Sequence, residues 1–219
     1  MSIVRLENFK MRTVANDLLI ELHFLPSLEY FCALRRFDKI ILEKHEHFVK
    51  QSYRNRCFVL TAHKKVRLTL PIIARHTKVV ITEVEIDYST RWQNNFWRTV
   101  ESAYAKAPFY EHFADDLRKE IFSKHKYLYD LNFHLLSMCL KWLRWEKTIA
   151  ESVTYEKIIS HEISDVRGLI STKTDFQQRK FYQPQPYRQV FGSNFVPNLS
   201  LIDLVFCEGP DAATLLTSP

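Results

Sequence analysis

The chain has 219 residues, 46% of them hydrophobic, which is enough for one sizeable buried core. Its mean hydropathy of −0.24 and the lack of an apolar run near 18 residues argue against a membrane span. The formal net charge of +6 indicates an anionic partner. Because the basic residues are dispersed, a small phosphate-bearing molecule is favoured over nucleic acid.

Three further absences narrow the class of protein. The N-terminal segment, residues 1–17, has no apolar region typical of a secretory signal, so we expect a cytoplasmic protein. The four cysteines form no CxxC pair, which predicts reduced, mostly buried thiols. With only three glycines the chain has no P-loop and no GxGxxG turn, so a bound nucleotide must be held by side chains or helix N-termini.

The first part of the chain predicts mainly β-structure. Short apolar or alternating segments indicate strands at 18–22, 39–43, 56–62, 67–72 and 79–86. The third and fourth of these form a predicted hairpin, and Pro26 precedes a short predicted helix that follows the first strand.

The remainder of the chain predicts mainly helices. Apolar periodicity indicates helices at 91–107, 109–122, 127–145, 200–208 and 211–216. Ser200 and Asp203 have the spacing of a capping box at the start of the fourth. A long loop is expected over 171–189. The pattern predicts an α/β fold in a single globular domain, with a strand-rich N-terminal half and a largely helical second half.

The segment EKHEHFVKQSYRNRC (43–57) contains the densest polar chemistry in the chain. If the preceding strand continues, Glu43, His45 and His47 point to one side. A carboxylate beside two imidazoles suits acid–base catalysis, and a solvated strand end is the alternative. The His-x-His spacing also occurs in metal sites, but no third ligand is indicated, so we assign no metal and leave any cofactor open.

Two other sets of polar residues are candidate substrate ligands, because arginine forks bind phosphate and Tyr, Asn and Gln bind sugar hydroxyls. The first set is Lys50, Tyr53, Arg54, Asn55 and Arg56. The second is Gln189, Asn198 and Asp203, near a predicted helix N-terminus. The alternatives are a charged surface turn, a structural ion pair of Arg56, and helix capping, although capping does not explain Gln189 or Asn198.

Cys57 is a candidate nucleophile with His45 or His47 as its base. Its place at the head of a predicted strand, before Phe58, favours a small core residue instead.

Several motifs resemble the WbqC-like protein family, and most closely the versions found in Bacteroidetes-type bacteria. They are LHFLPSLEYF (22–31), HEHFVKQSYRNRC (45–57), the segment 92–113, SDVRGLISTK (164–173) and YRQVF with FVPNLSLIDLVFCEGP (187–210). The likeness runs from Asp17 to Leu216, which leaves residues 1–15 as an expected N-terminal extension. Many members carry His-Gln-Pro or Gln-Pro where this chain has Ile20-Glu21-Leu22, with His23 just after.

The resemblance implies a role in surface-polysaccharide synthesis, including that of O-antigen. It leads us to expect a transferase that moves an acyl or aminoacyl group from a donor to a nucleotide-linked amino sugar. In that scheme His45 or His47, helped by Glu43, accepts the proton, and the two polar sets bind the substrate. A hydrolase or acyltransferase using Cys57, and a non-catalytic sugar-nucleotide-binding component of a glycan assembly complex, are the alternatives.

Overall fold

The structure is a computed structural model that describes residues 17–73 and 78–217, so the expected N-terminal extension lies outside it. The strands are β1 (Asp17–Ile20), β2 (Lys39–Leu42), β3 (Arg56–Leu60), β4 (Lys65–Thr69), β5 (Thr148–Glu151) and β6 (Ile163–Asp165). The helices are α1 (Leu28–Arg35), α2 (Trp92–Tyr104), α3 (Tyr110–Phe122), α4 (Leu128–Trp142), α5 (Leu201–Glu208) and α6 (Ala212–Leu215). Single 3₁₀ turns occupy Tyr53–Asn55, Ile81–Glu83, Phe176–Gln178 and Gly209–Asp211.

Four of the strands form a parallel sheet in the order β5-β2-β1-β6. The first two strands along the chain, β1 and β2, are central and apolar, as expected for parallel strands covered on both faces. Counted along the chain within this sheet, the spatial order is 3-2-1-4. This is the first part of a doubly wound order, in which ligands bind outside the carboxyl ends of the strands where the order reverses. Here the reversal lies between β1 and β6.

The antiparallel hairpin β3–β4 and the helices complete the same core. The hairpin packs against α2 and α5, while α3 packs against α2, α4 and α5. One continuous apolar cluster runs from the parallel sheet through the hairpin into the helices. No helix in the described ranges has both the length and the apolarity needed to cross a bilayer.

The C-terminal segment docks back onto the connection between β1 and α1. The Leu28 amide donates to the Leu199 carbonyl at 2.9 Å, and the Leu201 amide donates to the Pro26 carbonyl at 2.9 Å. The Ser200 amide donates to the Phe58 carbonyl at 2.8 Å, which brings in the hairpin. Two motifs separated by most of the chain therefore form one structural unit.

At this junction, helix α1 is capped by a residue of the C-terminal segment rather than by the residue that precedes the helix. The Asn198 Oδ1 accepts a hydrogen bond from the Glu29 amide at 3.0 Å and caps α1, whose own Ser27 makes no side-chain cap. Asn198 has φ of 53°, a left-handed conformation that asparagine tolerates. Ser200 does not cap α5 with its side chain but donates to the Leu25 carbonyl at 2.8 Å. The predicted capping box of Ser200 and Asp203 is therefore wrong.

The α/β class is confirmed, with strands mostly in the N-terminal half. The predicted strand at 79–86 is wrong. It is a 3₁₀ turn at Ile81–Glu83 flanked by isolated bridges, because its buried positions, Ile81, Val84 and Ile86, do not alternate. The two edge strands β5 and β6 were not predicted, since segments of four and three half-exposed residues carry too little periodicity.

A buried hydroxyl network joins α2, α5 and the hairpin. Asp203 accepts hydrogen bonds from the hydroxyls of Tyr104 at 2.8 Å and Tyr187 at 2.6 Å, and from the Gln189 amide at 3.0 Å. The Tyr104 hydroxyl also accepts from the Leu60 amide at 3.2 Å. Burial raises the pKa of Asp203, and these three donors partly offset that rise.

We expect Tyr104→Phe to lower the free energy of unfolding by about 1–3 kcal/mol, because it leaves buried partners on both sides unsatisfied. Urea unfolding followed by circular dichroism measures this. Tyr155→Phe is the matched control, since Tyr155 is 50% exposed. Equal stabilities of the two variants would contradict the structural role of the network.

Candidate functional site

All four parallel strands end in a carboxylate at the same edge of the sheet. Glu21 and Glu43 directly follow β1 and β2, while Glu151 and Asp165 are the last residues of β5 and β6. Glu21 and Glu43 are each 1% exposed. Buried ionised carboxylates are stable only with opposite charges or hydrogen-bond donors. The cations and donors at this edge therefore determine its chemistry.

Arg167 neutralises one part of the edge. Its Nη1 donates to Glu43 Oε2 at 2.6 Å, and its Nε and Nη2 bind the two oxygens of Asp165 at 2.9 and 2.8 Å. Glu43 Oε1 also accepts from the Ser152 hydroxyl at 2.7 Å and the His45 amide at 2.8 Å. The hydrogen bonds that Arg167 donates to Asp165 and Glu43 raise its pKa despite its partial burial.

Glu21 and His23 form a buried carboxylate–imidazole pair. His23 Nε2 lies 3.2 Å from Glu21 Oε1, while Glu21 Oε2 accepts from the Gly168 amide at 2.9 Å and Arg54 lies 3.4 Å from Oε1. Burial opposes ionisation of Glu21, but the hydrogen bond from His23, the charge of Arg54 and the Gly168 amide lower its pKa to about 2. Glu21 is therefore a carboxylate at neutral pH.

His23 is held as a neutral imidazole with one nitrogen free to accept a proton. Burial lowers its pKa more than Glu21 raises it. Because a carboxylate only accepts, Nε2 must carry the hydrogen, which leaves Nδ1 as the basic nitrogen. That atom is buried and has no hydrogen-bond partner in the described part of the chain. The arrangement is that of a general base oriented by a carboxylate.

The pair lies where the strand order reverses. Glu21 follows β1 and accepts a hydrogen bond from the amide of Gly168, a residue that follows β6. Gly168 has φ of 70°, with open space where a Cβ would project. The chain after it runs into the loop that forms one wall of a neighbouring pocket.

This pocket has a volume of about 240 Å³. Its walls are aromatic, cationic, hydroxyl and amide groups from the 3₁₀ turn before β3, the hairpin, the loop after β6 and the C-terminal segment: Tyr53, Phe58, Lys65, Ser171, Thr172, Thr174, Asp175, Phe176, Arg179 and Asn198. Lys65 Nζ lies 4.9 Å from the centroid of the Phe58 ring. Burial lowers the pKa of Lys65, and Asp175 partly offsets the effect. Tyr53 also stacks on His23, with ring centroids 5.3 Å apart.

The pocket loop is fixed to α1 by a second buried ion pair. Arg179 donates from Nε and Nη2 to the two oxygens of Glu29 at 2.6 and 2.7 Å, and from Nη1 to the Thr174 carbonyl at 3.1 Å. Asn198 donates to Glu29 Oε2 at 3.2 Å. Arg179 is thus committed to positioning the loop, while Lys65 contributes positive charge to the pocket.

Two of the predicted substrate ligands, one from each polar set, meet in this pocket. They are Tyr53 and Asn198. Three others have structural contacts: Asn55 donates to the Leu70 carbonyl, and Gln189 and Asp203 belong to the hydroxyl network.

The remaining predicted ligands are outside the pocket. Arg54 forms a buried bidentate pair with Glu46 at 2.7 and 2.5 Å. Lys50 is exposed. Arg56 is half-buried at the head of β3, where burial and the nearby charge of Arg67 lower its pKa.

The condition under which Glu43, His45 and His47 would share one face is not met, because β2 ends at Leu42 and the alternation of side chains ends with it. Glu43 contacts the amide of His45 rather than its ring. The ring Nε2 lies 3.1 Å from the Ser152 carbonyl, to which it must donate. His47 is exposed.

Cys57 lies in the core. It is 1% exposed, and burial raises its thiol pKa. A reactive cysteine needs a lowered pKa and access to substrate. Its environment therefore argues against the nucleophile hypothesis.

The sequence interpretation missed Glu21, His23, Glu29, Lys65 and Arg179. A usable signal was present for the first of these, since the apolar runs LLI and IIL are each followed directly by glutamate. The ion pair of Glu29 with Arg179 spans 150 residues, and spacing carries no trace of it.

A larger, open cleft of about 670 Å³ lies at the opposite edge of the sheet, lined by residues such as Asp38 and Lys147 that precede β2 and β5. It faces the amino ends of the strands, where ligand sites of doubly wound sheets do not occur. We therefore place the candidate site at the carboxyl edge, comprising the Glu21–His23 pair and the neighbouring pocket.

The lowered pKa of Glu21 predicts a specific dependence of stability on pH. Its ionised form stabilises the folded state above the unfolded value of 4.5, and this contribution is lost as pH falls toward about 2. We expect the difference in unfolding free energy between wild type and Glu21→Gln to narrow from pH 6 to pH 3. Chemical denaturation across this range measures it, with the exposed Glu162→Gln as control. Parallel curves for wild type and Glu21→Gln would contradict the assignment.

Comparison with known proteins gives a relationship but no activity. The chain is similar to the uncharacterized protein Rv1507c of Mycobacterium tuberculosis (strain H37Rv), with 24% identity over 230 residues that cover 90% of this chain and 96% of the relative. No solved structure matches it. The WbqC-like protein family matches residues 22–184. Because this match spans well over half of its length, the chain belongs to the WbqC-like protein family.

Proposed function

We propose that the protein is a transferase of bacterial cell-surface glycan synthesis that modifies a nucleotide-linked amino sugar with an acyl or aminoacyl group. The pathway follows from what the family resemblance implies. The observation that carries the proposal is the pocket containing Tyr53 and Asn198, which lies beside the buried Glu21–His23 pair. Membership of the family supports the pathway, and the chemistry of the pocket supports the class of substrate.

The composition of the pocket suits one unit of a sugar nucleotide. Aromatic faces at Tyr53, Phe58 and Phe176 can stack on a sugar ring or a base, and Thr172 and Asn198 can bind hydroxyls. Lys65 supplies positive charge for a phosphate. A volume of about 240 Å³ is below the range of about 300–1,000 Å³ for drug-sized ligands. The pocket therefore takes one ring, and the rest of the molecule extends from its mouth.

The proposed reaction uses His23 as the general base. The amine nitrogen of the sugar attacks the carbonyl carbon of an acyl or aminoacyl thioester, the carbon–sulfur bond breaks, and the thiolate leaves. The amine proton passes to His23 Nδ1 and then to the thiolate, while Glu21 holds Nε2–H and stabilises the imidazolium. Tyr53 lines the pocket and stacks on His23, so its ring must turn aside to admit the amine.

The base expected from the sequence, His45 or His47 with Glu43, remains an alternative within the same proposal. These residues follow β2 on the same carboxyl edge. Glu43 contacts the His45 amide rather than its ring, and the ring is engaged by the Ser152 carbonyl, which favours His23 instead.

We expect Lys65→Met to weaken binding of UDP- and dTDP-linked amino sugars by about 10- to 100-fold, the loss expected for a charge-assisted hydrogen bond. Isothermal titration calorimetry measures the dissociation constants. Lys64→Met is the matched control, because Lys64 is the adjacent lysine in the hairpin turn and is not among the residues that line the pocket. Unchanged affinity in Lys65→Met would contradict the proposal that Lys65 binds the phosphate.

We expect His23→Gln to lower kcat by about 10²- to 10⁴-fold while the affinity for the sugar nucleotide is kept, since a general base contributes a factor of this size. Mass spectrometry of the sugar nucleotide after incubation with acyl and aminoacyl thioesters measures turnover. His63→Gln, in the hairpin turn, is the control. Loss of turnover in His45→Gln but not in His23→Gln would transfer the role to His45.

A non-catalytic sugar-nucleotide-binding role is the second candidate, and one observation favours it. His23 is fully buried, and no histidine is among the described residues that line the pocket. Tight binding of the sugar nucleotide without a mass change, with any thioester, would identify the protein as such a component.

A further inference from the structure

Three metal-binding side chains converge outside the proposed active site, where α3 gives way to α4. Glu120 lies in the last turn of α3, His125 in the connecting turn and His134 near the second turn of α4. Glu120 Oε2 is 3.8 Å from both His125 Nε2 and His134 Nδ1, and the three ligand atoms all lie within 4.8 Å of one another. We propose that Glu120, His125 and His134 bind a divalent transition-metal ion, with Zn²⁺ the best match.

The distances suit a zinc ion at the centre of the cluster. Zinc–nitrogen and zinc–oxygen bonds of about 2.0–2.2 Å in a tetrahedron place ligand atoms about 3.3–3.6 Å apart. The two separations of 3.8 Å are close to that range, and the third, at most 4.8 Å, requires side-chain rotation to reach it. Two imidazoles and one carboxylate suit zinc, and the three ligands leave a fourth position open for water or an exchangeable ligand.

The environment of the His125 ring is the second observation that supports a metal site. Its Nε2 is buried and has no hydrogen-bond partner in the described part of the chain. A direct imidazolium–carboxylate hydrogen bond would bring His125 and Glu120 to about 2.7–2.9 Å, but the two atoms are 3.8 Å apart. The gap, with a nitrogen facing it, is what a bound cation would fill.

The backbone that carries the ligands is fixed. The Tyr88 hydroxyl donates to the His125 carbonyl at 2.8 Å, and the Ile86 amide donates to the Lys126 carbonyl at 3.0 Å. The Ser123 amide donates to the Lys119 carbonyl at 2.9 Å, which ends α3. A connecting turn held at both ends positions His125 before the ion arrives, as a preorganised metal site requires.

The test is a metal titration of the untagged, full-length protein after removal of metal with a chelator. Equilibrium dialysis with Zn²⁺ should give one tightly bound ion per chain, and Co²⁺ should give the visible absorption of a four-coordinate complex. Zn²⁺ should also raise the Tm. Loss of a residue that only hydrogen-bonds to a metal ligand typically weakens metal binding about 10- to 100-fold. His134→Ala removes a ligand itself and should weaken zinc binding by more than this. His134 is 55% exposed, so this variant should fold normally.

His112→Ala is the matched control, because His112 is an exposed histidine on α3, the helix that carries Glu120. It should keep the stoichiometry, the cobalt spectrum and the zinc-dependent Tm of the wild type. Failure of the wild type to bind one equivalent, or equal zinc affinity in His134→Ala and wild type, would overturn the proposal. These readouts do not depend on sugar-nucleotide binding, so they stand apart from the proposed function.

Discussion

The pairing of buried carboxylates with arginines at the carboxyl edge of the parallel sheet is the constraint on which the rest of the structure depends. Glu21, Glu29, Glu43 and Glu46 are all buried. Each would be strongly destabilising without its partner. Arg54, Arg167 and Arg179 therefore fix the segments before β3, after β6 and around the pocket. Removing one arginine would leave a buried carboxylate unpaired and would release the segment that carried the arginine.

These ion pairs also give His23 its chemical character. A carboxylate kept ionised by Arg54 and the Gly168 amide orients the imidazole, while burial keeps the imidazole neutral. Tyr53 connects this pair to the pocket, because its ring stacks on His23 and the residue also lines the pocket. The site is thus organised in two layers, with a buried basic nitrogen behind an aromatic residue that a ligand would meet first.

Local sequence patterns were sufficient for the helices, the hairpin and the central strands, because their apolar periodicity is long or continuous. They failed for β5 and β6, which are short and half-exposed, and for the turn at Ile81–Glu83. The candidate site was predicted only in part. The pattern around Tyr53 and Asn198 was visible as clustered polarity, but Arg179 and Glu29 became meaningful only when the fold brought them together. Long-range ion pairs carry no local signal, so they need the structure.

The capping of α1 by Asn198 has a consequence for how the protein acquires its site. The capping bond joins residues 169 positions apart, so it forms only after nearly the entire chain has left the ribosome. Contacts of such high sequence separation form slowly, because a long loop must close first. The parallel pair β1–β2 has its residues early in the chain, but the wall of the pocket that contains Asn198 arrives last. A ribosome-bound chain that ends before residue 198 would contain the Glu21–His23 pair but lack the wall of the pocket that Asn198 supplies.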